Sequence, residues 1–285
     1  MPASIDKVTI WEPAMKHDAR TVSPAANVNG RSEDYLDYQD VPRVMTALVR
    51  NQASGEYNAP HTHRHGQLLY AISGVMRAEA DGSLWFLPPK RALWIPAGVV
   101  HDQLMLTPVQ MRSIYIQADA AQGFGDRCRV VDVSLLLREL ILVLASEPIE
   151  YSLEGRNSHV VALILSELAA APTLPLQIPW PLDRRLLVVC NAILDAPGQS
   201  HLVEYWADKV GASSRTLIRL FLKETGLTYR QWVQQVRLAC ALERLEKGES
   251  VGRIARELGY VSASAFSAMF RRAIGTSPRE FLVRD

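Results

Sequence analysis

Apolar and polar positions alternate with a period of two along residues 43–117. The alternation comes in short runs separated by turn residues, which is typical of strands that pack one face on a core. Six strands are predicted, at residues 44–50, 67–73, 75–80, 83–86, 92–95 and 111–117. Asp81 and Gly82 form a residue pair favoured in two-residue hairpin turns. Strands this short and regularly spaced predict a β-barrel or sandwich over residues 41–120.

The hydrophobic period becomes helical after residue 120. Residues 133–145 and 159–171 each place apolar side chains at i, i+3, i+4 and i+7, which predicts two amphipathic helices. Four prolines in residues 172–181 argue against a regular helix or central strand and predict a linker. The other predicted segments are an irregular polar arm, a helical dimerisation region and a helical domain, at residues 1–40, 121–171 and 182–285.

The helical domain contains the same short pattern twice. Ala207 and Gly211 are followed by a serine-capped apolar helix, and Ala255 and Gly259 repeat this spacing before a second one. A small residue lets two helices approach closely, and a glycine ends the first helix in a left-handed turn. Two helix-turn-helix units are therefore predicted. Residues 229–246 form one helix between them, about 27 Å long, which could hold the units about one DNA turn apart.

The distribution of charge agrees with a nucleic-acid partner for this domain. The whole chain has a net charge of only +1. Residues 181–285, however, contain 16 basic and 11 acidic side chains and carry +5, so the rest of the chain carries −4. Such asymmetry indicates a polyanion-binding C-terminal half beside an acidic domain.

The second unit and the residues after it resemble the AraC/XylS family of transcription regulators. The matching positions are Gly259, Tyr260, Ser262, Ser264, Phe266, Phe270, Arg271, Arg272, Gly275, Ser277 and Pro278. The resemblance covers about the last 100 residues. It implies sequence-specific binding to double-stranded promoter DNA, a homodimer, a small-molecule effector and, as a further contact, RNA polymerase.

The resemblance also implies which side chains face DNA. Candidates in the first recognition helix are Ser214, Arg215, Ile218 and Arg219, and those in the second are Ser264, Ser267, Ala268, Arg271 and Arg272. Arg219 is the strongest candidate for reading a base, because arginine can bind guanine O6 and N7 together. Ala268 stands where the family usually has a basic or large polar residue. The second helix is therefore expected to contact thymine methyls or to bind phosphates through its arginine pair.

The predicted barrel contains histidines at positions that resemble the cupin motifs, and His61, His63 and His101 are the three that match. His61, His63 and His65 alternate, so an extended strand would point them to one side. His61 and His63 match the first cupin motif, Gln67 replaces its usual glutamate, and His101 matches part of the second motif. The resemblance implies an α+β multidomain chain, with an N-terminal cupin-like jelly-roll barrel before an all-α domain that carries the two helix-turn-helix units.

The role of these histidines is open between three interpretations. His61, His63 and His101 could bind a divalent metal, since three imidazoles suit zinc, nickel or iron. The same residues with Gln67 could instead line a metal-free effector pocket. They could also serve only packing and hydrogen bonding.

The function expected from these patterns is a one-component, effector-responsive transcription regulator, either activator or repressor, without enzymatic activity. Three scattered cysteines, no signal-peptide pattern and no apolar stretch long enough to span a bilayer place it in the cytoplasm, away from membranes. The alternative is a cupin-type metalloenzyme with an accessory DNA-binding tail.

Overall fold

The structure is a computed structural model that describes residues 34–174, 176–199 and 201–283. Within these residues, its strands are β1 (Met45–Gln52), β2 (Tyr57–His61), β3 (Gly66–Ser73), β4 (Met76–Ala80), β5 (Ser83–Leu87), β6 (Arg91–Ile95), β7 (His101–Met105), β8 (Val109–Ile116), β9 (Arg129–Asp132), β10 (Thr173–Leu174) and β11 (Gln177–Pro179). All six predicted strands are confirmed. The cupin-like barrel is a sandwich of two antiparallel sheets, and the pattern did not reveal the other five strands.

Strand order in the sheets requires crossovers between them. One sheet has the order β1-β8-β3-β6-β9-β10 and the other the order β11-β5-β4-β7-β2. Between β4 and β5, Asp81 and Gly82 both have positive φ angles, of 50° and 65°. This is the mirror-image turn that suits the twist of a hairpin, and Ala80 pairs with Ser83 across it.

The barrel extends further along the chain than residues 41–120. Strand β9 pairs with β6, β10 pairs with β9, and β11 pairs with β5. The proline-rich segment predicted as a linker thus supplies a terminal strand to each sheet. Its prolines are compatible with this position because an edge strand needs backbone donors on one side only.

The helices in the described part of the chain follow the predicted pattern closely. They are α1 (Leu135–Ser146), α2 (Arg156–Ala170), α3 (Arg184–Asp195), α4 (Val203–Lys209), α5 (Ser214–Thr225), α6 (Tyr229–Glu246), α7 (Val251–Glu257), α8 (Ala263–Ile274) and α9 (Pro278–Val283). Helices α1 and α2 cover the first sheet, where Ile141 and Ile164 join Leu68 and Ile114 in one core cluster. None of the helices is long and apolar enough to cross a membrane.

Helix α6 is buried on more than the single stripe predicted for it. Trp232, Val236, Ala239 and Cys240 are buried as expected, while Val233 is half-buried. Four further apolar side chains are also buried, namely Leu238, Ala241, Leu242 and Leu245. The helix contacts α3, α5, α7, α9 and β11. Trp232 donates its indole N–H to the Pro179 carbonyl at 2.9 Å, which ties α6 to the edge strand of the barrel.

Replacement of Trp232 by alanine should lower the free energy of unfolding by about 3–5 kcal/mol, because a fully buried aromatic ring is lost and a cavity remains. Trp232→Phe should cost less, since it retains most of the apolar volume and loses chiefly the hydrogen bond to Pro179. Urea denaturation followed by circular dichroism measures both. Leu222→Ala, at a 56% exposed position on α5, is the control. A Trp232→Ala loss no larger than that of the control would contradict this account of α6.

Candidate functional site

The first helix-turn-helix unit is formed by α4 and α5. Ala207 is only 2% exposed, and its carbonyl accepts a hydrogen bond from the Ala212 N–H in the turn. Gly211 has a φ of 64°, the left-handed conformation predicted to end α4. Ser213 caps α5 by accepting a hydrogen bond from the Thr216 N–H at 3.1 Å. Ser213 is thus the serine cap predicted for this helix, and Ser214 is its first residue.

The second unit, formed by α7 and α8, repeats this geometry. Ala255 is buried and Gly259 has a φ of 76°. Ser262 caps α8 through the Ala265 N–H at 3.1 Å. The shared placement of small residue, left-handed glycine and serine cap confirms the prediction of two helix-turn-helix units.

Both second helices have a buried face and a free face. On α5, Leu217 and Phe221 are fully buried, whereas Arg215, Ile218 and Arg219 are exposed. On α8, Phe266, Met269 and Phe270 are buried. Among the predicted DNA-facing side chains of α8, Ser264, Ala268, Arg271 and Arg272 are exposed. Ser214 and Ser267 are half-buried, and Ser267 donates its hydroxyl hydrogen to the Ala263 carbonyl at 2.8 Å.

A cleft of about 910 Å³ lies between α5, α6 and α8, and part of each free face borders it. Ile218 of α5 lies on its wall together with Ala268 and Arg272 of α8. Helix α6 contributes Arg230 and Arg237, which the sequence reasoning missed. The two arginines are seven residues apart, a spacing that places them on the same face of a helix and could have indicated them from the sequence. The cleft therefore adds positive charge between the two candidate recognition helices.

Hydrogen bonds and ring contacts between aromatic residues hold the N-terminal end of α4 beside this cleft. The Trp206 indole N–H donates to the Tyr229 hydroxyl at 2.9 Å, and this hydroxyl donates to the His201 carbonyl at 2.8 Å. The His201 ring stacks on Tyr205 with centroids 3.9 Å apart. The first unit is thereby held against the start of α6 by directional bonds as well as apolar packing.

Ion pairs hold α7 against the end of α6. Arg244 of α6 lies 2.6 Å from the Glu249 carboxylate and also pairs with Glu257 of α7. Arg253 pairs with Glu257 at 3.0 Å. The bond from Arg244 lowers the pKa of Glu249, and bonds from Arg253 and then Arg244 lower the pKa of Glu257.

A second candidate site lies in the barrel, where three of the predicted histidines come together. His61 of β2 pairs directly with His101 of β7. The His61 and His101 ring centroids are 4.4 Å apart, and His63 lies 4.8 Å from His61 and 5.1 Å from His101. Strand β2 ends at His61, so the extended alternation expected through His65 stops there. His65 is not part of the group of potential metal ligands.

Burial keeps these rings neutral near pH 7. It lowers the pKa of His63 to about 3 and that of His101 to about 4, and it also lowers the pKa of His61. His61 Nδ1 lies 2.7 Å from the Ala59 carbonyl, and His101 Nδ1 lies 2.9 Å from the Val99 carbonyl. A carbonyl only accepts hydrogen bonds, so each Nδ1 carries the proton and each Nε2 has a free lone pair.

The surroundings of the histidine cluster are aromatic and amide side chains. The Tyr35 ring packs against His61 and His63, and Tyr115 packs edge-on against His63. Gln67 is 2% exposed and donates from its amide to the Ser113 hydroxyl at 3.1 Å. The structure thus brings together all four residues of the predicted effector pocket or metal site, and adds Tyr35 from the segment predicted as an arm. Residues 1–33 of that arm lie outside the described residues.

Comparison with known proteins agrees with this division of the chain. Residues 44–170 match the model of the AraC-like ligand binding domain, and residues 206–284 match a helix-turn-helix domain. The HTH-type transcriptional regulator NimR of Escherichia coli K12 is 33% identical over 259 residues, which cover 90% of this chain and 93% of NimR. The activator RhaS of Escherichia fergusonii is 25% identical over 60% of this chain and 52% of its own. A crystal structure of ToxT from Vibrio cholerae aligns over 84% of this chain and 98% of its own, with 11% identity and a TM-score of 0.36.

Replacement of Arg244 by methionine should lower stability at pH 7 by up to about 1 kcal/mol, because two half-exposed carboxylates lose their shared partner. A carboxylate with a lowered folded-state pKa stabilises the fold above its unfolded pKa, and this contribution is lost as pH falls through the folded value. The difference between wild type and variant should therefore shrink below about pH 4. Urea midpoints across this range measure it. Arg256→Met, at an exposed position of α7, is the control, and a difference independent of pH would contradict the ion-pair account.

Proposed function

The chain belongs to the AraC family of transcription regulators, and we propose that it is a one-component member whose barrel binds a small effector and whose two recognition helices read promoter DNA. The observation that carries this proposal is that one cleft is bordered by Ile218 on the exposed face of α5 and by Ala268 and Arg272 on the exposed face of α8, so that both faces open toward the same side of the domain. Both faces can then approach successive major grooves on one side of the duplex.

In this proposal, helices α5 and α8 make different kinds of contact with DNA. Arg215 and Arg219 of α5 are long, exposed and cationic, which suits bidentate contacts to guanine. The face of α8 has Ser264 and Ala268 in the corresponding region, with Arg271 and Arg272 after them. Helix α5 therefore reads bases, and α8 chiefly binds the phosphate backbone.

Direct contacts between the barrel and α8 supply a route for effector control. Arg91 of β6 donates to the Ile274 carbonyl at the C-terminus of α8, at 3.3 Å, and pairs with Asp132 of β9. A cation is favourable at this end of a helix. An effector that binds the DNA-competent and incompetent arrangements differently can shift the position of α8 through this link.

Self-association is proposed to use the outer side of α1 and α2. Leu135, Leu136 and Leu163 are 67%, 50% and 46% exposed, although the opposite sides of both helices cover the barrel. Clustered apolar exposure of this kind favours a symmetric interface, in which the same patch serves both protomers.

Arg219→Ala should weaken specific DNA binding by about 1–3 kcal/mol and relax the preference at one base position, because a base-edge contact is lost. Footprinting and titration against a panel of singly substituted sites measure both effects at a fixed salt concentration. Arg156→Ala on α2 removes the same charge far from the recognition helices and should change neither. An unchanged base preference in Arg219→Ala would remove this residue as a reader.

The arginines of α8 provide the contrasting case. Arg271→Ala and Arg272→Ala should weaken binding about equally at all sites and reduce the salt-dependence slope by about 1 each. A change of base preference in either variant would instead assign base reading to α8.

Leu136→Glu and Leu163→Glu should convert a dimer into a monomer, because each places a charge in the proposed apolar interface. Sedimentation velocity over a range of protein concentrations measures this. Leu182→Glu, at an 88% exposed leucine outside these helices, is the matched control. Dimers that persist in both variants would exclude this surface.

The histidine cluster in the barrel is the one observation that favours a second function, that of a metalloenzyme. A cupin-type metalloenzyme with a DNA-binding tail would need a carboxylate ligand or its equivalent, and Gln67 occupies that motif position. The relatives reported above are regulators, and we propose that this chain has no turnover of its own. Stoichiometric iron with oxygen-dependent turnover of a substrate would overturn this.

A further inference from the structure

The histidine cluster has an arrangement that packing alone does not explain. The potential ligand atoms of His61, His63 and His101 all lie within 4.8 Å of one another. His63 is 4% exposed and His101 is 2% exposed. In the described part of the chain, the His63 nitrogens and His101 Nε2 lack a hydrogen bond of good geometry, although the Gln67 side chain lies close enough to His63 to raise its pKa against the larger effect of burial. Buried polar atoms without partners are costly, so several gathered at one point indicate a missing partner.

A cation between the rings would satisfy the unpartnered nitrogens together. The backbone bonds of His61 and His101 fix their Nδ1 protons, which leaves two Nε2 lone pairs beside the neutral His63 ring. Lone pairs that face one another repel unless a cation or a hydrogen-bond donor lies between them.

The outer contacts of the rings are those found around bound metals. Histidine ligands commonly donate their second ring N–H to a backbone carbonyl or carboxylate, which fixes the ring orientation and raises the basicity of the other nitrogen. His61 and His101 each make this bond, to Ala59 and Val99. Opposite positions on β2 and β7 hold these two rings against each other.

We propose that His61, His63 and His101 bind one divalent transition-metal ion of borderline softness, with Zn²⁺, Ni²⁺ and Co²⁺ as the suitable ions. Three neutral imidazoles match the donor preference of these ions, whereas Mg²⁺ and Ca²⁺ require oxygen ligands. Because Gln67 replaces a carboxylate, the donor set does not match the two-histidine, one-carboxylate site of non-haem iron oxygenases.

The geometry requires only a small closure of the three rings. Tetrahedral Zn–N bonds of 2.0–2.1 Å place ligand nitrogens about 3.4 Å apart, so side-chain adjustments of roughly 1 Å suffice. Tyr35 and Tyr115 shield the cluster from water, which strengthens ligand binding. Two nearby charges affect a positive charge at His61 in opposite ways. Arg50 disfavours it and Asp102 favours it.

The experiment uses the full-length chain without a histidine tag, freed of metal with a chelator and titrated with Co²⁺. Wild type should bind one equivalent and develop visible d–d absorption, which Zn²⁺ then abolishes by displacement. His61→Gln, His63→Gln and His101→Gln should each weaken Co²⁺ binding by at least about 100-fold, because each removes a direct ligand. His65→Gln, at the nearby histidine outside the cluster, should bind as wild type does.

A separate measurement does not depend on whether the variants fold. Zn²⁺ at 100 times its dissociation constant should raise the Tm of wild type reversibly, since ligand binding to the native state alone stabilises it. Wild type without cobalt absorption or a zinc-dependent Tm would overturn the proposal. Equal losses in His65→Gln and the cluster variants would also overturn it. The DNA-binding assays are independent of this outcome, so the metal site and the recognition helices can fail separately.

Discussion

Burial of α6 is the constraint on which the arrangement of the DNA-binding half depends. One helix of 18 residues packs against the first unit through α5, the second through α7, and the barrel through β11. Its apolar side chains are therefore buried in several directions, and none of these three neighbours can move without exposing part of it. The spacing of the two recognition helices is consequently a property of α6 and its contacts, more than of the turns within each unit.

The same helix explains why the proline-rich segment has a structural role. Pro179 supplies the carbonyl that receives the Trp232 indole hydrogen, while its strand pairs with β5. An edge strand with few backbone donors is a weak sheet element. Its attachment to a fully buried tryptophan gives it a fixed position. The segment between the two domains is thus packed against both of them.

The elements predicted well are those with strong local signals. The bounds of α6 match the prediction at both ends because Thr228 and Gln231 form a reciprocal capping box before an uninterrupted helical pattern. Strand β2 contains Asn58 and Pro60 and lacks clear alternation, and its pairing partners in β7 lie 40 or more residues away. Neither the opposition of His61 and His101 nor the cleft between α5 and α8 could be derived from spacing. Both are made by non-local contacts, which a single sequence does not encode in any periodicity.

The two helix-turn-helix units are alike in backbone and different in what surrounds them. Helix α8 has its C-terminal carbonyl bound by Arg91 of the barrel, and its free face has small side chains. Helix α5 has the exposed arginines suited to base edges. In the proposed function, a change in the barrel alters the contact of α8 with DNA through the bond from Arg91 to the end of this helix. If such a helix binds mainly phosphates, the change alters affinity without altering which sequence is read. Under the proposed function, this division between a base-reading helix and a barrel-linked helix would let an effector control occupancy while the operator sequence stays the same.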